Sequence, residues 1–185
     1  IQEYAIKRCL PLNKCVWSDQ KPGRLYRRVL IPFTWKGKEI GFTARGIDDE
    51  TKPKYFTNHD PNYVYGIDDQ YSDARYCIVT EGILDALCIN GISTLGNACS
   101  ETQAQIIDTL NREVILVPDQ DKAGQSLIND ALEFGWSVSF PEWEDDVKDV
   151  NDAVVRYGKL FTIKNIIDAK ETSTLKINLK RKKYV

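Results

Sequence analysis

Asp119 and Asp121 are spaced so that both carboxylates could hold one hard divalent cation. They directly follow the apolar run 113–118, and Lys122-Ala123-Gly124 follows them. A β-branched run that ends in Asp-x-Asp and then opens a helix places both side chains at the carboxyl end of a buried strand, where open α/β sheets bind ligands. Side chains two residues apart in an extended segment point the same way, so they can share one ion. An acidic site of this kind suggests phosphate chemistry.

Two further groups of carboxylates also follow predicted strands. Glu81 comes after the strand 76–80, with Asp85 one helical turn further on, and Asp149 comes after the acidic loop 142–146. These groups can converge, because all strands of a parallel sheet end at one edge. Like charges held together repel strongly unless cations neutralise them, and oxygen ligands select Mg²⁺ or Mn²⁺. Each motif also has a simpler explanation, as a turn, an ordinary helix-face residue or, for Asp149, an N-cap.

The elements that must position these carboxylates alternate between strand and helix from residue 75 onward. Strands are predicted at 76–80, 93–95, 113–117 and 136–140, and helices at 83–90, 100–110, 123–134, 151–157 and 163–169. Ser100 and Gln103 have the spacing of a capping box. Alternation of this kind predicts an α/β fold, a parallel sheet with helices on both faces.

The region before residue 75 lacks this alternation of strands and helices. Segments 27–33 and 38–44 read as strands, and Trp35-Lys36-Gly37 between them suits a hairpin turn. Residues 45–71 read mostly as loop with short strands. A small α+β amino-terminal subdomain is therefore expected before the parallel sheet.

The near-neutral net charge of −2 conceals an acidic middle between basic flanks. Residues 1–60 carry 12 Lys/Arg against 7 Asp/Glu, residues 61–152 carry 4 against 18, and residues 153–185 carry 9 against 2. An acidic centre attracts cations, and basic flanks attract polyanions such as nucleic acid. Ordinary solvated surface is the alternative explanation of the same pattern.

The remaining composition favours a cytoplasmic protein and an excised domain. The 5 cysteines show neither a C-x-x-C pair nor zinc-ligand spacing, which indicates a reducing compartment. No apolar run reaches the length of a membrane span, and no signal peptide is visible. The chain opens on Ile1 and contains no methionine, so we expect it to be part of a longer protein.

The ordered set of acidic motifs resembles the Toprim domain, the metal-binding fold shared by topoisomerases and primases. The matching segments are 79–86 (Val-Thr-Glu-Gly-Ile-Leu-Asp-Ala), 119–124 (Asp-Gln-Asp-Lys-Ala-Gly) and 148–152 (Lys-Asp-Val-Asn-Asp). The resemblance covers about residues 75–158. It implies a Toprim-type sheet in which Glu81, Asp85, Asp119, Asp121 and Asp149 hold the metal.

The upstream segments resemble the small subdomain that precedes Toprim in bacterial and phage replicative primases. These segments are 27–33, 41–45, 53–56 (Pro-Lys-Tyr-Phe) and 63–66 (Tyr-Val-Tyr-Gly). The resemblance implies that Arg45 and Lys54 bind the triphosphate and face the metal site. It further implies that Arg28 and Lys122 contact nucleotide or nucleic acid.

These resemblances together imply a Mg²⁺- or Mn²⁺-dependent nucleotidyltransferase that makes RNA primers. Glu81, Asp119 and Asp121 would be its catalytic residues, and Glu81 could also accept a proton. Implied partners are a single-stranded DNA template, ribonucleoside triphosphates and a replicative helicase, fused or separate, with no membrane partner. The implied domains are 1–72, the small basic subdomain; 73–158, Toprim; and 159–185, a basic helical extension.

Some features depart from the primase pattern and keep alternatives open. Bacterial primases carry a further basic residue between the Pro-Lys-Tyr segment and the Tyr-Gly element, and in this stretch only His59 is available. Asn151 stands where many relatives have a second carboxylate. Zinc-binding cysteines and a G-x-x-x-x-G-K-[ST] loop are both absent from the sequence. The alternatives are a Toprim nuclease or topoisomerase fragment that cleaves DNA, and a non-catalytic nucleic-acid-binding module.

Overall fold

The computed structural model describes residues 1–17, 23–119 and 124–184. The chain forms two compact units, residues 1–61 and 62–185. The domain boundaries expected after residues 72 and 158 stay predictions. Within the described ranges, no helix combines the length and the apolar composition needed to cross a bilayer.

The first unit contains a short helix and an antiparallel three-stranded sheet. Helix α1 spans Gln2–Lys7. Strands β1 (Arg28–Trp35), β2 (Lys38–Gly46) and β3 (Tyr55–Asn58) follow in that order across the sheet. Lys36 and Gly37 both have positive φ, at 52° and 74°, as a tight two-residue turn between antiparallel strands requires. The predicted hairpin is confirmed.

The second unit is built around a five-stranded sheet. Its strands are β4 (Tyr76–Thr80), β5 (Ile92–Ser93), β6 (Glu113–Val117), β7 (Ser137–Ser139) and β8 (Lys170–Glu171). Its helices are α2 (Ile83–Ile89), α3 (Glu101–Asp108), α4 (Gly124–Glu133), α5 (Val150–Tyr157), α6 (Lys159–Asp168) and α7 (Thr174–Lys180).

The sheet order is β5-β4-β6-β7-β8, and the first four strands are mutually parallel. The short edge strand β8 pairs with β7 in the antiparallel sense. Strand β6 reads Glu-Val-Ile-Leu-Val and is buried over its last four residues, which is typical of a strand covered on both faces. The predicted α/β fold class is confirmed.

Helices cover both faces of this sheet. Val138 lies in the main core cluster together with Ile107 of α3 and Leu127 of α4. Its neighbour Ser139 donates a hydrogen bond of 2.6 Å to the carbonyl of Ile166 on α6. Adjacent residues of a strand point to opposite faces, so α3 and α4 cover one face and α6 covers the other.

Several predicted elements differ from those in the structure at their ends. Strands β4 and β6 coincide with the prediction, but the predicted strand 93–95 is the two-residue β5 instead. The predicted helix 163–169 begins earlier, at Lys159, directly after Gly158. Helix α3 has the predicted capping box, with Ser100 Oγ accepting from the amide of Gln103 and the Gln103 side chain accepting from the amide of Ser100.

Candidate metal centre

The ends of β4 and β6 place Glu81 and Asp119 next to each other. Thr80 pairs with Val117 in the parallel register, so the two strands end level with each other. Glu81 follows the first strand at once, and Asp119 follows the second after Pro118. The backbone amide of Asp119 donates to Glu81 Oε1 at 3.4 Å. Two of the predicted site residues therefore lie at the same sheet edge.

The loop that carries Glu81 is held by hydroxyl groups at strand ends. Ser93 Oγ donates to the Glu81 carbonyl at 2.6 Å and accepts from the Leu95 amide at 3.0 Å. Thr80 Oγ1 donates to the Gly82 carbonyl at 3.0 Å. Both hydroxyl-bearing residues are buried. The sequence interpretation missed these two supports, because a Ser or Thr at a strand end carries no distinctive spacing.

Asp85 connects two helices at this edge. It lies in the first turn of α2 with only 7% of its surface exposed. Its Oδ1 accepts from the backbone amide of Asn151, at the start of α5, at 2.7 Å. The carboxylate is thus fixed by a donor that is distant in sequence, which an ordinary helix-face residue would not have.

The pKa of Asp85 is raised well above its ordinary value. Burial is the main cause, and the negative charges of Asp149 and Asp119 add to it. The backbone amide of Asn151 partly opposes the rise by stabilising the charged form. Asp149 and Asp119 therefore lie near enough to Asp85 for their negative charges to act on it.

Asp149 is the N-cap of α5, as the simpler explanation of this residue predicts. Its side chain accepts from the backbone amide of Asp152 at 2.7 Å. One carboxylate oxygen is thereby engaged with the helix, and a carboxylate has further acceptor capacity. Capping and metal binding by Asp149 are therefore compatible.

Two glycines let the backbone and carboxylates approach closely here. A Cβ atom on Gly82 would lie 2.2 Å from Asp85 Oδ2. One on Gly124, the first residue of α4, would lie 2.5 Å from the Asp119 carbonyl oxygen and 3.1 Å from Glu81 Oε1. The motif glycines of the sequence are thus required by the packing around the acidic groups.

The described donors fit a divalent cation by their chemistry. Glu81, Asp85, Asp119 and Asp149 offer oxygen atoms and negative charge, which hard cations prefer. Among the described residues, no three Asp, Glu, His or Cys side chains already stand close enough together to form a metal-binding group. Asp121 and Lys122, both predicted at this site, lie outside the described residues.

Arg28 has a structural role in the first unit. Its side chain is buried, with 2% of the residue exposed. Its Nε donates to the Arg24 carbonyl at 3.0 Å, and its Nη1 donates to the carbonyls of Ala44 at 3.2 Å and Lys54 at 3.4 Å. A guanidinium used in this way ties strand β1 to its neighbours, which argues against the predicted contact of Arg28 with nucleic acid.

Arg45 and Lys54 differ from Arg28 in their surroundings. The guanidinium of Arg45 stacks on the ring of Tyr55, 4.7 Å from its centroid, and its buried Nε has no hydrogen-bond partner among the described residues. Lys54 has an exposed side chain. Both residues keep the capacity to bind an anion.

The chain is similar in sequence to known proteins. A model of the Toprim-like family matches residues 78–154. The chain is 27% identical to the DNA primase of Clostridium acetobutylicum, over 90% of this chain and 30% of that protein. It is 25% identical to the DNA primase of Aquifex aeolicus, over 83% of this chain and 34% of that protein. The chain thus spans about a third of the length of these relatives.

A solved structure shows the same fold. The Aquifex aeolicus primase structure, which contains zinc-binding and RNA polymerase domains, superposes with a TM-score of 0.65 at 23% identity. The match covers 86% of this chain and 45% of that one.

The parallel sheet and its acidic edge define a Toprim-like α/β domain at residues 78–154. Over most of its length the chain is also similar to bacterial DNA primases, the proteins whose pattern the three acidic motifs resemble.

Proposed function

We propose that this chain is the catalytic core of a DNA primase, which joins ribonucleotides into short RNA primers on single-stranded DNA. The observation that carries the proposal is the position of the acidic edge within the sequence shared with DNA primases. Glu81, Asp85, Asp119 and Asp149 all lie in the Toprim-like match, and the similarity to a primase extends over 90% of the chain.

The reaction joins a 3′-hydroxyl to the α-phosphate of an incoming ribonucleoside triphosphate. The new P–O bond forms as the bond to pyrophosphate breaks, and the hydroxyl proton passes to a base. Divalent cations, Mg²⁺ or Mn²⁺, would neutralise the negative charge on the attacking and leaving oxygens. We propose that Glu81, Asp119, Asp121 and Asp149 hold these ions, with Asp85 beside them.

The other residues have supporting roles in this proposal. Glu81 can accept the hydroxyl proton if it is not fully engaged with metal. Arg45 and the exposed Lys54 bind the triphosphate. Lys122 adds a further positive charge next to the metal ligands in sequence.

We propose that each of the three expected domains makes a separate contribution to the reaction. Residues 1–72 supply basic groups, residues 73–158 supply the metal site, and residues 159–185 form a basic extension. The proposed partners are single-stranded DNA, ribonucleoside triphosphates and a replicative helicase, fused or separate. A protein with these partners acts in the cytoplasm of the cell whose DNA is copied.

Replacing Asp119 by Asn should abolish synthesis while keeping the size of the side chain. The measurement is metal-dependent dinucleotide formation from ribonucleoside triphosphates on single-stranded DNA. The matched control is Asp73→Asn, because Asp73 is an exposed aspartate in the loop before β4, at the opposite end of that strand. We expect the Asp73→Asn variant to synthesise dinucleotides at the normal rate.

Unchanged synthesis by the Asp119→Asn variant would contradict the proposal. A plasmid-nicking assay on the same preparations covers the cleavage alternative. Metal-dependent nicking without dinucleotide formation would replace the primase proposal with a nuclease or topoisomerase function. If the protein shows neither dinucleotide formation nor nicking but binds DNA without metal, it is a nucleic-acid-binding module without catalytic activity.

A further inference from the structure

A polar cavity of about 400 Å³ lies between α4 and the carboxyl-terminal end of α7. Its lining residues are three amides and two cations: Gln125, Asn129, Asn178, Arg181 and Lys182. Amides and cations together provide many hydrogen-bond donors, and Arg and Lys provide positive charge. This lining suits an oxyanion.

The cavity is built by helix packing and by direct hydrogen bonds. Gln125 and Asn129 are four residues apart on α4, so they share one face of that helix. Gln125 Nε2 donates to the Arg181 carbonyl at 3.0 Å, and Arg181 Nη1 donates to Asn129 Oδ1 at 2.6 Å. Ile177 is fully buried in the main core cluster and fixes α7 in place.

Neighbouring charges leave the cavity positive. Lys180 and Lys176 on α7 lie 2.7 Å and 3.9 Å from the carboxylate oxygens of Glu171, and Lys180 is the main reason that the pKa of Glu171 is lowered. Arg181 is bound instead by a neutral amide. None of the ion pairs formed within the described ranges includes Arg181 or Lys182. Their charge is therefore available to an anion.

One amide in the cavity wall has an unused hydrogen-bonding position. Asn178 Oδ1 is buried and lacks a hydrogen-bond partner among the described residues. Rotation of an Asn amide exchanges its oxygen and its NH₂ group. In the rotated form the NH₂ group would occupy this position and could donate to a bound oxygen atom.

The cavity adjoins the candidate metal centre along α4. Gly124 packs against Asp119 and Glu81, and Gln125 is the next residue. Asn129 lies about 7.5 Å further along the helix axis than Gly124. A template strand that passes the acidic edge could thus place one of its backbone phosphates in the cavity.

We propose that this cavity binds a backbone phosphate of the single-stranded DNA template that is copied at the acidic edge. The inference rests on the proposed function, since it deepens the account of that site. Arg, Lys, Asn and Gln are residue types that contact the nucleic-acid backbone without reading sequence. The excess of 9 basic over 2 acidic residues in 153–185 strengthens the attraction.

The test measures DNA binding in the absence of metal, which separates it from catalysis. A fluorescein-labelled oligothymidylate is titrated with protein at several salt concentrations in buffer with a chelator, and anisotropy is recorded. Arg181→Gln and Lys182→Gln should each weaken binding and reduce the slope of log K against log salt by roughly 0.7, the value for one single-strand phosphate contact. Lys164→Gln is the matched control, because Lys164 lies on α6 outside the cavity and pairs with Asp168.

A further variant and an unfolding measurement distinguish a loss of DNA binding from a loss of folding. Asn178→Asp keeps the shape of the side chain and adds a negative charge to the cavity wall, so it should also weaken DNA binding. Thermal unfolding of all variants shows that they remain folded. Wild-type affinity and salt slope in the three cavity variants would overturn the proposal.

Nucleotide binding and primer synthesis are measured on the same variants to distinguish two further outcomes. Lost binding of a ribonucleoside triphosphate with unchanged oligonucleotide binding would make the cavity a nucleotide site and overturn the proposal. If wild-type protein makes no dinucleotides, the proposed function fails, but weakened DNA binding by the cavity variants would still establish the phosphate site.

Discussion

Gly82 is the residue at which a single added methyl group probes the metal centre most directly. Its backbone angles, φ −82° and ψ 140°, are accessible to alanine, so a substitution causes no backbone strain. The new Cβ would nevertheless lie 2.2 Å from Asp85 Oδ2. Because Asp85 is buried and bound to the Asn151 amide, its carboxylate would have to move.

We expect Gly82→Ala to reduce metal-dependent dinucleotide synthesis on the order of 100-fold, as displacement of about 1 Å in an active site commonly does. The matched control is Gly96→Ala, because a Cβ on Gly96 would meet no atom within 4 Å. Equal synthesis rates in the two variants would show that the position of Asp85 is unimportant for catalysis.

Local sequence indicates the acidic candidates residue by residue, but it does not indicate the burial of Arg28. Glu81 and Asp119 follow apolar runs, Asp85 lies one helical turn after Glu81, and Asp149 follows the acidic loop 142–146. All these positions depend only on local sequence. The burial of Arg28 depends on carbonyls of Arg24, Ala44 and Lys54, which the strand pairing brings together. Local sequence carries no sign of these distant acceptors.

At the scale of the element, the start of α5 combines a helix cap with a proposed metal ligand. Asp149 accepts from the Asp152 amide, and Asn at an N-cap is about as favourable as Asp. We expect Asp149→Asn to change the free energy of unfolding by only a few tenths of a kcal/mol, and Asp149→Ala to lower it by about 1 kcal/mol. Urea unfolding of both variants measures this difference.

Activity separates the two roles of Asp149. If the carboxylate holds metal, both variants should lose most of their dinucleotide synthesis, although Asp149→Asn is as stable as wild type. Full synthesis by the Asp149→Asn variant would show that Asp149 only caps the helix.

Strands and caps were more predictable than the carboxyl-terminal elements. Strands β4 and β6 are buried over their last four residues, and each contains a short apolar run that predicts a buried strand. The capping box at Ser100 and Gln103 is likewise a local signal. The antiparallel strand β8 has two residues, Lys170 and Glu171, whose pairing with β7 depends on tertiary structure and left no pattern in the sequence.

In the whole molecule, the segment that forms most of the parallel sheet is also the segment that carries most of the acidic residues. The parallel order of β5, β4, β6 and β7 brings strand ends to one edge, and 18 of the 27 acidic residues lie in residues 61–152. The alternation of strand and helix was sufficient to predict this fold class. The level ends of β4 and β6 required the register of Thr80 with Val117, which sequence alone does not specify.

We propose that carboxylates distant in sequence gather at one sheet edge to bind divalent cations. Anomalous X-ray scattering from crystals soaked in Mn²⁺ would locate such ions. We expect anomalous peaks within bonding distance of carboxylate oxygens of Asp119 and at least one of Glu81, Asp85 and Asp149. Crystals in which Mn²⁺ binds only elsewhere, with these carboxylates metal-free, would contradict it.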